Sequence, residues 1–142
     1  MSQQNEQFDE IFDVLVVGSG CGGLTAALTA DIAAPAKVLV IEKSHLIGGT
    51  SATSGGVIWI PDNHLGKEKG AEDSIAEAKQ YLQATIPEDE FNEPLIDTYL
   101  DQGPKMVKFM EDNTDARYTS LEHYPDYFQD APGVKLGNRA LE

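Results

Sequence analysis

The sequence predicts an α/β fold that opens on a strand–helix–strand unit and continues into helices. Three observations predict it. The apolar run Val14-Leu15-Val16-Val17 leads directly into Gly18-Ser19-Gly20-Cys21-Gly22-Gly23. A small-residue segment follows, Leu24-Thr25-Ala26-Ala27-Leu28-Thr29-Ala30. A second apolar run, Val38-Leu39-Val40-Ile41, then ends on Glu42. Short apolar runs bounded by turn residues read as strands, and a glycine turn between strand and helix makes the unit a Rossmann-like βαβ. A doubly wound sheet needs more strands than the remaining sequence offers. The domain is therefore expected to be incomplete, and the chain to be an N-terminal fragment.

Each element has a local reason. Residues 1–10 are polar and acidic and read as a disordered lead-in. A strand over 12–17, a helix over about 21–33 and a strand over 37–41 follow. Ala34-Pro35 ends the helix, because proline cannot continue it. Residues 44–66 are rich in Gly, Ser and Thr, with an apolar patch Val57-Ile58-Trp59-Ile60 closed by Pro61. So long a stretch is either unstructured or wrapped around a ligand, and the apolar patch favours the ligand. Ile75, Ala78, Leu82 and Ile86 recur at helical spacing, with Asp73 or Ser74 available as a cap. Pro87 breaks that helix. Glu88-Asp89-Glu90 suits the start of another, with Phe91, Leu95, Tyr99 and Leu100 as its apolar stripe. Gly103-Pro104 is expected to interrupt it, leaving Met106, Val107, Phe109 and Met110 in a final segment. Residues 115–142 read as loops and short strands.

Composition narrows the class. A chain of 142 residues buries one modest core. Ten basic against 24 acidic residues give a net charge of −14, which excludes nucleic acid and anionic membrane surfaces as partners. The acids between Glu68 and Asp130 are expected on solvated helix faces. One cysteine excludes an internal disulfide. No secretory signal and no membrane-spanning run is present, and a cytoplasmic location is expected. No metal-ligand spacing stands out.

The glycine turn carries the chemistry. Gly18, Gly20 and Gly23 fit G-x-G-x-x-G between strand and helix. Gly18 permits the tight turn, Gly20 lets backbone approach a pyrophosphate, and Gly23 lets helix pack on strand. The helix N-terminus then faces the phosphates. Glu42 lies 24 residues beyond Gly18, where a carboxylate can accept both hydroxyls of an adenosine ribose and repel a 2′-phosphate. Cys21 reads as a small residue suited to a crowded turn.

A more specific pattern follows. Glu42-Lys43-Ser44, then Gly48-Gly49-Thr50-Ser51-Ala52-Thr53-Ser54-Gly55-Gly56, then Ile58-Trp59-Ile60-Pro61, resembles the flavoprotein family of fumarate reductases and 3-ketosteroid Δ1-dehydrogenases. Leu100–Val107 and His123-Tyr124-Pro125-Asp126-Tyr127 extend the resemblance. It implies an FAD-binding domain over residues 1–142, divided into βαβ and flavin loop (12–66), a helical segment (71–113) and a loop-rich start of the substrate region (115–142). The FAD site would comprise Gly18, Ser19, Gly20, Cys21, Gly22, Gly23, Glu42, Lys43 and Ser44. At the flavin end it would include Gly49, Thr50, Ser51, Ser54, Gly55, Gly56 and Val57. The position that bears a covalent flavin in respiratory relatives is Gly49 here, so FAD is expected to be non-covalent. His45 and His64 are expected at the surface.

The activity implied is hydride transfer between flavin N5 and a carbon near a carbonyl, on a small-molecule substrate such as a steroid or a dicarboxylate. In the ketosteroid branch the second tyrosine of an Asp-Tyr-Tyr segment lies near substrate; Phe128 stands there, which leaves Tyr127 as the one catalytic candidate. The 142-residue chain alone is expected to be inactive. Two alternatives stay open: an NAD-dependent Rossmann enzyme, which leaves residues 48–61 unexplained, and a truncated non-enzymatic remnant.

Overall fold

A computed structural model describes residues 9–142, and the chain divides into two units, 1–56 and 57–142. The expected lead-in over 1–10 falls almost wholly outside the described residues.

The first unit is a βαβ. Strand β1 (Val14–Val17) pairs in parallel with β2 (Val38–Ile41), in the register Val14↔Val38 through Val17↔Ile41. Helix α1 (Cys21–Ala33) connects them. Gly18 has φ +99°, a conformation that side chains disfavour, and its N–H donates to the Ile41 carbonyl at 2.7 Å. The chain therefore turns sharply off the end of the sheet. A Cβ on Gly23 would lie 2.1 Å from the Gly18 carbonyl oxygen, so only glycine lets α1 start this close to β1. Leu15 and Val17 are exposed, although apolar runs of this kind usually belong to strands covered on both faces.

The second unit is built by its ends. Strand β3 (Ile58–Trp59) pairs antiparallel with β4 (Ala140–Leu141), which brings the start and finish of the unit together. Between them run α2 (His64–Glu68), α3 (Ile75–Thr85) and α4 (Glu93–Asn113). The core joins Ile60, Val107 and Leu141, with Leu100 also fully buried.

Local readings of the last helix need correction. Gly103-Pro104 does not interrupt the helix: α4 runs through both. Leu100, Gly103, Val107 and Met110 are buried on one face, and Gly103 packs against Ile60, so tertiary burial outweighs the lost proline hydrogen bond. The same helix starts at Glu93 rather than at Glu88, because the Asn92 side chain accepts the Leu95 N–H and Pro94 fits the first turn. Residues 88–90 form a turn that leaves Phe91 outside the helix. Of the two cap candidates Ser74 caps α3, accepting the Glu77 N–H at 3.2 Å. Asp73 has another use.

Helix α2 begins within the stretch read as glycine-rich loop and runs past its end. Its cap, Asn63, is 2% exposed; it accepts from Gly66 and donates to the carbonyls of Ile60 and Asn138. His64 is not an ordinary surface histidine. Its Nε2 lies 2.7 Å from Glu111 Oε2, and its Nδ1 is buried without a partner among the described residues.

Gly133 separates strain from crowding. It has φ +75°, and a Cβ there would lie 2.1 Å from the Glu77 carbonyl oxygen of α3. Gly133→Ala is expected to lower stability by on the order of 3 kcal/mol. Gly70→Ala, at φ +79° but in open space, is expected to cost about 1 kcal/mol. Urea unfolding followed through Trp59, the chain's one tryptophan, measures both.

Candidate functional site

In the first unit, the glycine turn, the end of β2 and the Gly48–Gly56 loop converge on one hydroxyl. Ser19 is 2% exposed. Its Oγ donates to Glu42 Oε2 at 2.6 Å and accepts the Gly48 N–H at 2.9 Å. Its N–H donates to the same carboxylate oxygen at 2.9 Å, while Glu42 Oε1 accepts the Ser44 N–H at 3.0 Å. Glu42 thus staples β2 to the turn. A carboxylate offers about four acceptor directions; these three donors take three of them, and the Lys43 backbone adds a weaker hydrogen bond. Hydrogen bonds from the Ser19 hydroxyl, then from the backbone of Ser19 and Ser44, hold its pKa down to about 2 from 4.5.

A second contact closes the loop over the helix. Residues Gly49–Thr53 form a 3₁₀ turn, and Ser51 Oγ accepts the Cys21 N–H at 3.1 Å. Gly20, the N-cap of α1, supplies no side-chain cap. A Cβ on Gly20 would meet nothing nearer than Ser51 Oγ, at 3.9 Å, so the space beside this backbone is open. A pyrophosphate needs such an arrangement: the Gly22 and Gly23 N–H groups carry no side-chain cap, no Cβ stands in the way and a hydroxyl lies alongside. These residues fit the ADP end of a dinucleotide.

The remaining expected site residues divide by position. Cys21, Gly22, Lys43, Gly49 and Thr50 are exposed in the first unit, as are Ser54, Gly55 and Gly56. Ser54 Oγ donates to the Ser51 carbonyl and accepts the Gly56 N–H, ordering the end of the loop. Ser19 is spent within the chain and shapes the site rather than lining it. Val57 begins the second unit.

The second unit holds a group that local sequence reading missed. Arg139 is 1% exposed. It donates to Asp73 through Nε at 2.9 Å and NH2 at 2.6 Å, and to Asp126 through NH1 at 2.8 Å. Asp126 Oδ1 accepts the Trp59 indole N–H at 2.6 Å, and Oδ2 accepts the Lys135 N–H at 2.9 Å. Of the acids expected on solvated helix faces, Asp126 is therefore buried and Asp73 half-buried. Burial alone raises the Asp73 pKa, but hydrogen bonds from Arg139 and the Asp62 N–H, with the Arg139 charge, bring it below its usual value. Burial likewise lowers Arg139, and Asp73 followed by Asp126 more than reverse this. Over a separation of 66 residues, no local pattern links Asp73 to Arg139.

Above this network lies a pocket of about 230 Å³, walled by Trp59, Tyr81, Tyr124, Pro125 and Tyr127. The Trp59 and Tyr81 rings are 5.9 Å apart. Tyr127 is 81% exposed and its hydroxyl lies 3.4 Å from that of Tyr124. Phe128 is exposed and does not line the pocket.

The family described as FAD binding domain matches residues 13–137. The chain belongs to this family. Its cofactor is FAD, and the NAD-dependent alternative is not favoured. The chain is similar to a 4-oxocyclohexanecarboxylate 2-dehydrogenase from Sinomonas cyclohexanicum, at 42% identity over 92% of this chain and 22% of that protein. It is also similar to a 3-oxosteroid 1-dehydrogenase from Mycolicibacterium smegmatis, at 42% identity over 92% of this chain and 23% of that one. Among solved structures it matches 3-ketosteroid Δ1-dehydrogenase from Sterolibacterium denitrificans in complex with 1,4-androstadiene-3,17-dione, with TM-score 0.83 and 42% identity. That match covers 92% of this chain and 23% of the other. The chain thus spans under a quarter of the length of these relatives. No helix among the described residues is long and apolar enough to cross a membrane.

Two measurements check the electrostatics. The Glu42 pKa is depressed, so its contribution to stability is complete above about pH 4.5 and is lost as pH falls through about 2. Ser19→Ala removes the largest cause, and an NMR titration of the Glu42 carboxyl is expected to move from about 2 back toward 4.5. The lowered Asp73 pKa has the same sign, and its contribution fades as pH drops below the ordinary aspartate value of 3.8. Asp73→Asn, which leaves Arg139 with one carboxylate partner, is expected to cost about 3 kcal/mol at neutral pH. Its urea unfolding curve should also lose part of the acid dependence of the parent.

Proposed function

We propose that this chain holds the ADP half of a non-covalent FAD, and that the whole protein is a flavin-dependent dehydrogenase acting beside the carbonyl of a ring ketone. The interlock of Ser19, Glu42 and Gly48, beside the open backbone at Gly20, carries the cofactor part. The residues we assign to FAD are Gly18–Gly23, Glu42–Ser44, Gly49–Ser51 and Ser54–Val57, with Ser19 acting through Glu42 and Gly48 rather than touching the cofactor. Within them Gly20, Gly22 and Gly23 would face the pyrophosphate, and Glu42 would accept a ribose hydroxyl. Bound flavin supplies the hydride acceptor. The chain's own residues bind and orient it.

Non-covalent attachment is supported by Gly49 at the position where covalent relatives carry a histidine; glycine offers no nucleophile. His45 is exposed and His64 is tied to Glu111. A ring ketone is supported by the names of the similar dehydrogenases and by the pocket itself. The pocket presents aromatic faces and no Lys, Arg or His, whereas an open-chain dicarboxylate calls for cationic partners. Tyr127 stays a candidate for contact with substrate. The division of residues 1–142 into cofactor loop, helical segment and start of the substrate region belongs to the same reading, as does a cytoplasmic location.

Acid precipitation of the whole protein tests this. Yellow flavin is expected in the supernatant; flavin retained in the pellet would contradict non-covalent binding. Gly20→Val is expected to fold, since the space beside Gly20 is open and its φ of −68° and ψ of 174° suit valine. It should nevertheless purify without flavin. Unchanged flavin content would show that the turn does not approach the cofactor.

A further inference from the structure

Arg139 does not line the aromatic pocket, yet it is bonded to what does. Its guanidinium lies 5.4 Å from the Trp59 ring and 5.9 Å from the Tyr81 ring. It holds Asp126, which in turn holds the Trp59 indole N–H. Asp126 is also fixed through its backbone, donating to the Lys135 carbonyl at 2.9 Å. Its chain neighbours Tyr124, Pro125 and Tyr127 are three of the pocket walls. One guanidinium therefore sets both sides of the cavity.

The same contacts decide what the cavity presents. Asp126 is the one charged residue among its walls, and both of its oxygens are occupied. Arg139 pairs with that charge from behind but is shared with Asp73, so the walls are aromatic and the cluster behind them stays net negative, which disfavours an anionic ligand. An apolar cavity of about 150 Å³ accepts a benzene ring. A cavity of about 230 Å³ has room for one substituted six-membered ring. The Tyr124 and Tyr127 hydroxyls are polar groups that can orient a ring oxygen.

We infer that Arg139 is a positioning residue: by clamping Asp126 and, through it, Trp59, it keeps this pocket open for the uncharged ring of an alicyclic ligand. The ligand class rests on the function proposed above; the clamp does not. A lysine cannot replace it, because only the planar fork reaches both carboxylates at once.

The experiment uses the 142-residue chain and cyclohexanone as the probe. Trp59 is the sole tryptophan, so its fluorescence and its indole N–H resonance report on the pocket alone. Cyclohexanone is expected to quench the fluorescence saturably, and cyclohexanecarboxylate to bind at least about tenfold more weakly. Arg139→Gln is expected to weaken cyclohexanone at least about tenfold and to move the indole N–H resonance upfield, in a chain whose circular dichroism stays native. Asp126→Asn keeps the side-chain volume. Its amide must turn its oxygen toward Arg139 and Lys135, which points the NH2 group at the Trp59 N–H, and the same two changes are expected.

A wild-type chain without saturable quenching overturns the inference. So does a folded variant with unchanged affinity and an unchanged indole resonance. Where Arg139→Gln does not fold, the Asp126→Asn result decides. The titration requires no flavin, so its failure and a failure of the flavin-release test are read independently.

Discussion

Removing a polar side chain from water is tolerated only where its hydrogen bonds are replaced, and that constraint organises both units of this chain. Ser19, Asn63, Ser120, Asp126 and Arg139 are the buried polar or charged residues among those described. Each joins segments that are distant in sequence. Ser19 ties the glycine turn to β2 and to Gly48; Asn63 and Ser120 both reach Asn138; Arg139 reaches back to Asp73 and Asp126. Apolar burial supplies the driving force, but it is indifferent to register. These groups are not, because each is costly unless its particular partner is present.

In the first unit the consequence is a preformed cofactor turn. The Glu42 carboxylate is held at the end of β2 by three donors, so its position does not wait for a ligand. The Gly48–Gly56 loop is likewise drawn onto the start of α1 by Gly48 and Ser51. Binding then costs little ordering of the backbone, which is how preorganised sites gain affinity. In the second unit the consequence is a pair of aromatic walls, fixed by a charge cluster centred on the buried Arg139 and Asp126. Replacing that cluster by apolar residues of equal volume could conserve stability, but it would remove the acceptor that orients the Trp59 indole.

Much of the first unit was legible because its determinants are local. Helix α1 begins and ends at the residues expected, and both strands lie within the expected runs, since a glycine turn, a proline stop and β-branched runs act over a few residues. The second unit was legible only in outline. Helix α4 was expected to break at Pro104 and does not, because Gly103 is packed against Ile60, a contact no helical window contains. His64 was expected at the surface, but Glu111, which captures it, lies 47 residues away. The acids were expected in solvent because a net charge of −14 reads as solvation, yet Asp73 and Asp126 have a single arginine between them.

The sequence by itself determined the βαβ opening, the phosphate turn, the acid at the tip of β2 and membership of the FAD-binding family. Those properties follow from residue type at short spacing: glycine where a Cβ cannot fit, and a carboxylate where a strand ends. Tertiary structure decided that Glu42 is bound by the chain before any ligand, that a helix passes through a proline, and that Arg139 stands behind an aromatic pocket. The physical reason is the same in each case. A hydrogen bond or a packed contact between residues tens of positions apart has no trace in either segment alone, and it exists only once the chain has closed.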